Sequence, residues 1–323
     1  MPTTKKTLEL LDLTIEQSQE SSFRNHLGAS IIGRKCQREL WYTFRWAKQI
    51  RFKPRMVRLF ERGNLEELRW QRWFKAMGVE VYTKHKNGKQ FRVVDVYGHF
   101  GGSLDGMGKG IPDLPAQPFV FEFKTYKEQL FKQLLKDKVK KHKWDHYVQM
   151  QIYMFKRKLK WALYCAINKN DDSIYLEIVR CHPEIAKEYI ERAEYIIFTE
   201  EPPVRISSNP RWHECLQCSY HSICHSYDVP AINCRTCAHS TPIKNKNNSG
   251  TWDCQLGNTP IDTAPQDGCS YHVFTPHILN GIDYGEANLD ENYIVLKMPN
   301  GEVIKHGPNH VSSKELKNYY TRG

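Results

Sequence analysis

The alternation of apolar and polar positions divides the chain into a structured body and a tail rich in potential ligands. Residues 1–29 are polar and helical in part, with a loose Ser/Gln/Glu stretch from Gln17 to Ser22. From residue 31 to about 75 breakers are few, and Trp, Leu and Phe recur at helical spacing. Residues 91–98 and 99–107 read as a strand pair, and 119–124 as a short buried strand. A helix is expected over 126–135, then a basic connector over 136–143. A second helix follows over 144–159, with Val148, Ile152, Phe155 and Leu159 on one face. Residues 161–167 and 173–180 are strands joined by a polar turn, and Pro183 opens a helix to about Phe198. That order is an α/β domain. Beyond Glu200 the composition shifts to Pro, Ser, Cys and His, which suits structure held by ligands more than by a core.

The length of 323 residues suggests about two folding units, and 40% hydrophobic residues suffice for a real core. The longest unbroken apolar run, 161–167, falls far short of the ~20 residues that span a bilayer. Lys5 and Lys6 are followed by Glu9 and Asp12, so no secretory signal is visible. A cytoplasmic protein with no membrane partner is expected. Forty-seven Lys and Arg against 36 Asp and Glu give a net charge of +11. That surplus fits a polyanionic partner, and it fits equally a basic surface with no specific ligand. Ten cysteines in such a chain point to metal before disulfides.

The segment Gly101-Gly102-Ser103-Leu104-Asp105-Gly106 places one acid at a strand end between glycines. In Phe121-Glu122-Phe123-Lys124, alternation puts Glu122 and Lys124 on one face and the phenylalanines on the other. Both charges are costly to bury unpaired, so a simple buried or edge salt bridge is one reading. The other is a hard oxygen site for Mg²⁺ or Mn²⁺, made by Asp105, Glu122 and the backbone carbonyl of Phe123, with Lys124 orienting a water.

The order Asp105, Glu122-Phe123-Lys124 resembles the PD-(D/E)XK nuclease superfamily. Gln149-Met150-Gln151-Ile152-Tyr153 is similar to the Q-x-x-x-Y element of its RecB-like branch. Gln149 and Tyr153, four apart on a helix, would then contact DNA or support the site; taken alone they read as ordinary surface. Arg62-Gly63-Asn64-Leu65-Glu66-Glu67 sits where this branch carries a glycine followed four residues later by His or Glu. Glu67 fits that slot as a further catalytic carboxylate and metal ligand, with Glu66 its neighbouring alternative; CRISPR-associated members carry His there. The resemblance, over about residues 30–230, implies a restriction-endonuclease-like core: a central mixed sheet flanked by helices.

Cys36 stands far ahead of Cys215-x2-Cys218-x5-Cys224. One early cysteine and this late triplet resemble the iron–sulfur bracket of the RecB-like exonucleases, including the CRISPR-associated and AddAB-type proteins. The resemblance implies a 4Fe–4S cluster stapling the chain on either side of the core. Zinc on the same thiolates, or a core Cys36 with three unrelated thiols, remain open. Cys234-x2-Cys237-x16-Cys254-x14-Cys269 resembles a treble-clef or ribbon zinc module, with His239 and His272 as substitute ligands and a second iron cluster as the alternative. Cys165 and Cys181 read as buried small residues.

Lys136, Lys138, Lys140, Lys141 and Lys143 form a cationic run, either a solvated face or a phosphate track with Tyr126, Trp144 and Tyr147 to stack on bases. The expected organisation is a polar segment at 1–30, the nuclease domain at 31–230, a zinc module at 231–275 and a small β-rich appendage at 276–323. Together these imply a Mg²⁺- or Mn²⁺-dependent DNA exonuclease acting in recombination, repair or phage DNA processing. A recombination or replication protein is a possible partner, and the host cytoplasm is the location if a phage encodes it. A non-catalytic DNA-binding adaptor and a redox-sensing DNA binder are the alternatives.

Overall fold

The structure, a computed structural model, describes residues 4–19, 23–257 and 268–320. Residues 20–22 of the Gln17–Ser22 stretch, and 258–267 between Cys254 and Cys269, lie outside them. In chain order the elements begin with α1 (Lys5–Gln17), β1 (Leu27–Gly28), α2 (Gln37–Phe44) and α3 (Pro54–Ala76). There follow β2 (Glu80–Tyr82), β3 (Arg92–Asp95), β4 (Phe100–Ser103), β5 (Gly106–Lys109) and β6 (Phe119–Tyr126). Helices α4 (Glu128–His142) and α5 (Trp144–Arg157) lead to β7 (Trp161–Asn168), β8 (Ile174–Arg180) and α6 (Pro183–Phe198). Short α7 (His213–Leu216) and α8 (His221–His225) precede a β9 (Ser240–Pro242), β10 (Trp252–Cys254) hairpin. The sheet β11 (Asp283–Asn288), β12 (Tyr293–Lys297), β13 (Val303–His306) and α9 (Leu316–Tyr320) complete the chain. Among the described residues, no helix is long and apolar enough to cross a membrane.

The central sheet is mixed, in the order β2-β5-β6-β7-β8, and only β6 and β7 run parallel. Parallel neighbours need a crossover, which α4 and α5 supply. Period-two alternation gives the sheet two separate cores. Phe119, Phe121 and Phe123 of β6, with Leu163, Cys165 and Ile167 of β7, pack under Trp70 and Phe74 of α3. The opposite face, with Val120, Tyr126, Ala162 and Tyr164, joins the larger core with Val148 and Ile152 of α5.

Residues 99–107 do not form one strand. β4 belongs to a second sheet with β1 and β3, while β5 lies in the central one, so the chain changes sheets at Leu104 and Asp105. Helix likewise stops at Phe44 and resumes only at Pro54, which sits at the first helical position where its missing N–H costs nothing. The basic connector expected over 136–143 is helical as far as His142. Val139 is buried, and the kink at Lys138 (φ 58°) is held by a 2.9 Å bond from the Val139 N–H to Glu177 Oε2.

The expected boundaries at 30, 230 and 275 are not breaks in packing. Leu27 and Gly28 pair with Phe100 and Gly101. One continuous core includes Trp41 and Phe44, then Trp252 and Phe274, then Leu296 and Leu316. Arg235 is the key between these segments. Its buried guanidinium lies 3.8 Å from the Trp46 ring centroid, also faces Phe44 and Trp252, and donates to the carbonyls of Phe44 and Asn25.

His99 is wholly buried beside Phe44, Phe198 and Trp252, with Nε2 donating to the Ile243 carbonyl at 3.0 Å. Burial, opposed by that bond and aided by Arg235, pushes its pKa down to about 4. The folded protein therefore holds His99 neutral while the unfolded chain protonates near 6.5. Stability fully present above pH 6.5 is lost as the pH falls towards 4, on the order of 2 kcal/mol from this group. Urea titrations at pH 7 and 4.5 should show His99→Gln losing less stability on acidification than wild type. Equal losses would remove His99 from the acid response.

Candidate active site

Asp105 sits at the sheet crossing. The preceding Leu104 is wholly buried, its N–H donating to the Phe91 carbonyl at 2.9 Å and its carbonyl accepting from Gln90 Nε2 at 3.0 Å. β5 begins only at Gly106, opposite Phe121, so the Phe123 N–H of β6 has no strand partner on that side. The Asp105 carboxylate takes that bond through Oδ2 at 2.8 Å. The two strands thus fix the first acid against the E-x-K segment.

Glu122 and Lys124 share a face, opposite Phe121 and Phe123. The Lys124 ammonium donates to Glu122 Oε1 and, at 3.1 Å, to the Phe123 carbonyl, and lies 3.9 Å from Asp105 Oδ2. Three oxygens of two acids and one backbone carbonyl therefore surround a single cationic atom. Lys124 is 25% exposed and Asp105 15%, but Glu122 is fully buried. Solvent thus reaches Lys124 and Asp105 but not Glu122, because β6 is a central strand covered by α5. Glu122 Oε2 has no hydrogen-bond partner, an orphaned buried acceptor.

Glu67 of α3 faces the same cluster, whereas Glu66 pairs with Arg69 at 3.4 Å. Burial first, then the charge of Asp105, lifts the Glu67 carboxyl to about 7, with Lys124 opposing. Burial pushes Glu122 up to about 8 against the pull of Lys124, with Asp105 and Glu67 adding to the rise. Burial disfavours the Lys124 ammonium, but the carboxylates of Glu122, Asp105 and Glu67 outweigh it and raise its pKa. Three crowded carboxyls, one an orphan in the interior, are a donor set short of positive charge. That chemistry fits a hard divalent cation. Among the described residues, however, no group of three or more His, Cys, Asp or Glu side chains is placed to hold a metal ion.

Gln149 and Tyr153 are not surface. Both are buried, Gln149 Nε2 lies 3.4 Å from the Tyr153 hydroxyl, and that hydroxyl donates to the Ser103 carbonyl at 3.0 Å. They brace the strand leading into Asp105 rather than meeting a ligand. Gly102 permits this: a Cβ there would collide with the Tyr153 hydroxyl, and one on Gly101 with the Val93 carbonyl. Tyr153→Phe should cost about 1–2 kcal/mol by stripping a buried carbonyl of its donor. Measured by urea unfolding, no loss would show that the brace carries no energy.

Tyr126 and Tyr147, expected to stack on bases, are buried, and Trp144 stacks on Tyr147 while donating to the Tyr189 hydroxyl at 2.7 Å. Of the lysine run, Lys136, Lys138, Lys140 and Lys141 are exposed and Lys143 half-buried; Lys141 pairs with Asp137 at 2.9 Å.

Cys36, Cys215, Cys218 and Cys224 line one cavity of about 370 Å³, together with Arg34, Lys35, Arg38 and Arg205. Cys36 caps α2, and the triplet is carried by α7, α8 and the turn between them. Burial pushes the Cys218 thiol up to about 12, and the neighbouring Cys36 and Cys224 add to it. The four thiols share this cavity with cations that would offset thiolate charge, but among the described residues they are not gathered closely enough to hold a metal ion as they stand. Cys234, Cys237, Cys254 and Cys269 are likewise electrostatic neighbours, Cys237 buried and Cys269 exposed. His272 is committed elsewhere, to Ser313 and the Asn233 carbonyl, and His239 to Asn292. Cys165 is buried and Cys181 half-buried.

No protein-family model and no curated protein matches the sequence. Among solved structures, the chain is similar to SSO0001, at 18% identity over 68% of this chain and 96% of that one, with a TM-score of 0.38. It is similar also to an alkaline exonuclease, LHK-Exo, from Laribacter hongkongensis, one structure of which is in complex with dAMP. The identity there is 16% over 58% of this chain and 90% of that one, with a TM-score of 0.37. Likenesses this distant carry no weight in assigning the site.

Proposed function

We propose that the protein is a metal-dependent DNA exonuclease on a PD-(D/E)XK core. The observation that carries this reading is the convergence of Asp105 Oδ2, Glu122 Oε1 and the Phe123 carbonyl on one cationic position, the Lys124 ammonium. Asp105, Glu122, the Phe123 carbonyl and Glu67 would hold Mg²⁺ or Mn²⁺, which when bound polarises a phosphate and acidifies a water. The chain's own part is positioning. The Phe123 N–H locks the Asp105 rotamer, and burial keeps Glu122 dry, where its charge would act strongly once the carboxyl has lost its proton. Lys124, partly exposed, can hold a water or a phosphate oxygen. Cys36, Cys215, Cys218 and Cys224 are the ligands of a 4Fe–4S staple in this reading, and Cys234, Cys237, Cys254 and Cys269 those of a zinc ion.

Linear and covalently closed circular DNA, compared with Mn²⁺ present, test the exonuclease part. The reading expects nucleotides released from linear DNA and intact circles. Rapid cutting of circles would replace exonuclease with endonuclease.

A further inference from the structure

The lysine run on α4 has a counterpart of equal charge in a second basic segment. Residues 84–92, Lys-His-Lys-Asn-Gly-Lys-Gln-Phe-Arg, contain four lysines and arginines and no acid. They build a tight hairpin. Lys84 bridges Gln90 across it, the His85 N–H donates to the Lys89 carbonyl at 2.8 Å, and Gly88 turns the chain at φ 79°. Lys84, Lys86, Lys89 and Arg92 are exposed, and the turn side of the hairpin lines an open groove. On α4, by contrast, Lys132 and Lys141 are partly neutralised by Glu128 and Asp137 one turn away, at 2.6 and 2.9 Å.

The hairpin's root is joined to the candidate active site. Gln90 and Phe91 hold both backbone groups of Leu104, the residue before Asp105. Arg157 of α5 clamps the same root from behind, its guanidinium 5.3 Å from the Phe91 ring centroid and donating to the Arg92 carbonyl at 3.1 Å. Cations on a braced arm tied to the residue before Asp105 suit a polyanion that must be held while one of its phosphates approaches the acids.

We propose that this hairpin is a phosphate clamp that grips the sugar–phosphate backbone of the DNA next to the bond being cut, without regard to base sequence. It rests on the nuclease reading and identifies where that substrate is held. Lys84, Lys86 and Lys89 point into solvent, so their replacement should leave the fold unchanged, which a melting curve checks.

The test is a salt titration of labelled DNA binding in EDTA, so that binding is read apart from cleavage, for wild type, K84A/K86A/K89A and K84R/K86R/K89R. Three lost contacts should make the slope of log affinity against log salt shallower by about 2 to 3, whatever the DNA sequence. The arginine variant should keep the wild-type slope. An unchanged slope in the alanine variant, in a protein that binds DNA and cuts it when Mn²⁺ is restored, would overturn the clamp and leave the nuclease reading standing. Failure of wild type to bind DNA at all would overturn both.

Discussion

Glu122→Gln should lower DNA cleavage by about three orders of magnitude or more, ~4 kcal/mol of transition-state stabilisation, while DNA binding and thermal stability persist. Glutamine keeps the shape of the side chain and removes the charge that a cation site needs. Lys124 loses one charged partner but keeps the Phe123 carbonyl, the nearby Asp105 carboxylate and partial exposure, so the melting temperature should fall little. Lys124→Ala should be inactive too, but for a mixed reason: it leaves Glu122 buried without its only hydrogen-bonding cation and should melt lower. The pair of variants thus separates catalysis from folding. Wild-type cleavage by folded Glu122→Gln would show that this carboxylate is a structural ion-pair partner only.

The second large effect concerns the four-thiol cavity. Anaerobically purified protein should be brown and hold about four irons per chain. Cys36→Ser should lose that iron and melt about 10 °C or more lower, the shift a few kcal/mol gives in a protein of this size. Cys36 precedes the central sheet and its three partners follow it, so one lost thiolate opens a link between segments nearly 180 residues apart, as the Lys35–Glu214 pair also spans them. Surface pairing of that kind is worth little alone. Colourless protein that holds only zinc after anaerobic reconstitution would assign the cavity to zinc instead.

Much of the fold was legible because its signals are local. β6, β7 and β8, the turn between the last two, and α5 and α6 follow from apolar alternation and helical spacing, and Pro183 marks the start of α6 within a residue. The Asp105–Glu122–Lys124 cluster was legible for the same reason. Alternation puts Glu122 beside Lys124, and a short excursion of chain returns Asp105 to the neighbouring strand.

What was not legible depends on partners distant in sequence. Nothing in residues 99–107 announces that β4 pairs with β1 and β5 with β6, so the change of sheet at Leu104 was hidden. The helical state of residues 136–142 depends on Glu177, nearly forty residues later, capping Val139 at the Lys138 kink. Full burial of Glu122, Gln149 and Tyr153 follows from how α5 lies on the sheet. The hairpin at 84–90 was overlooked because its closeness to Asp105 arises through Gln90 and Leu104, not through sequence proximity to Glu122. Arg235 read as a spacer between two cysteines. Its role as the plug among Phe44, Trp46 and Trp252 emerges only once α2 and the late segment are side by side.

Hydrolysis of DNA by this chain should depend on a divalent cation held by these carboxyls. The most direct measurement follows end-labelled linear DNA with purified protein across a Mn²⁺ titration, ending in excess EDTA. Release of labelled nucleotides should rise with Mn²⁺ and stop with EDTA. Hydrolysis that persists in EDTA, or intact DNA at every Mn²⁺ and Mg²⁺ concentration, would contradict it.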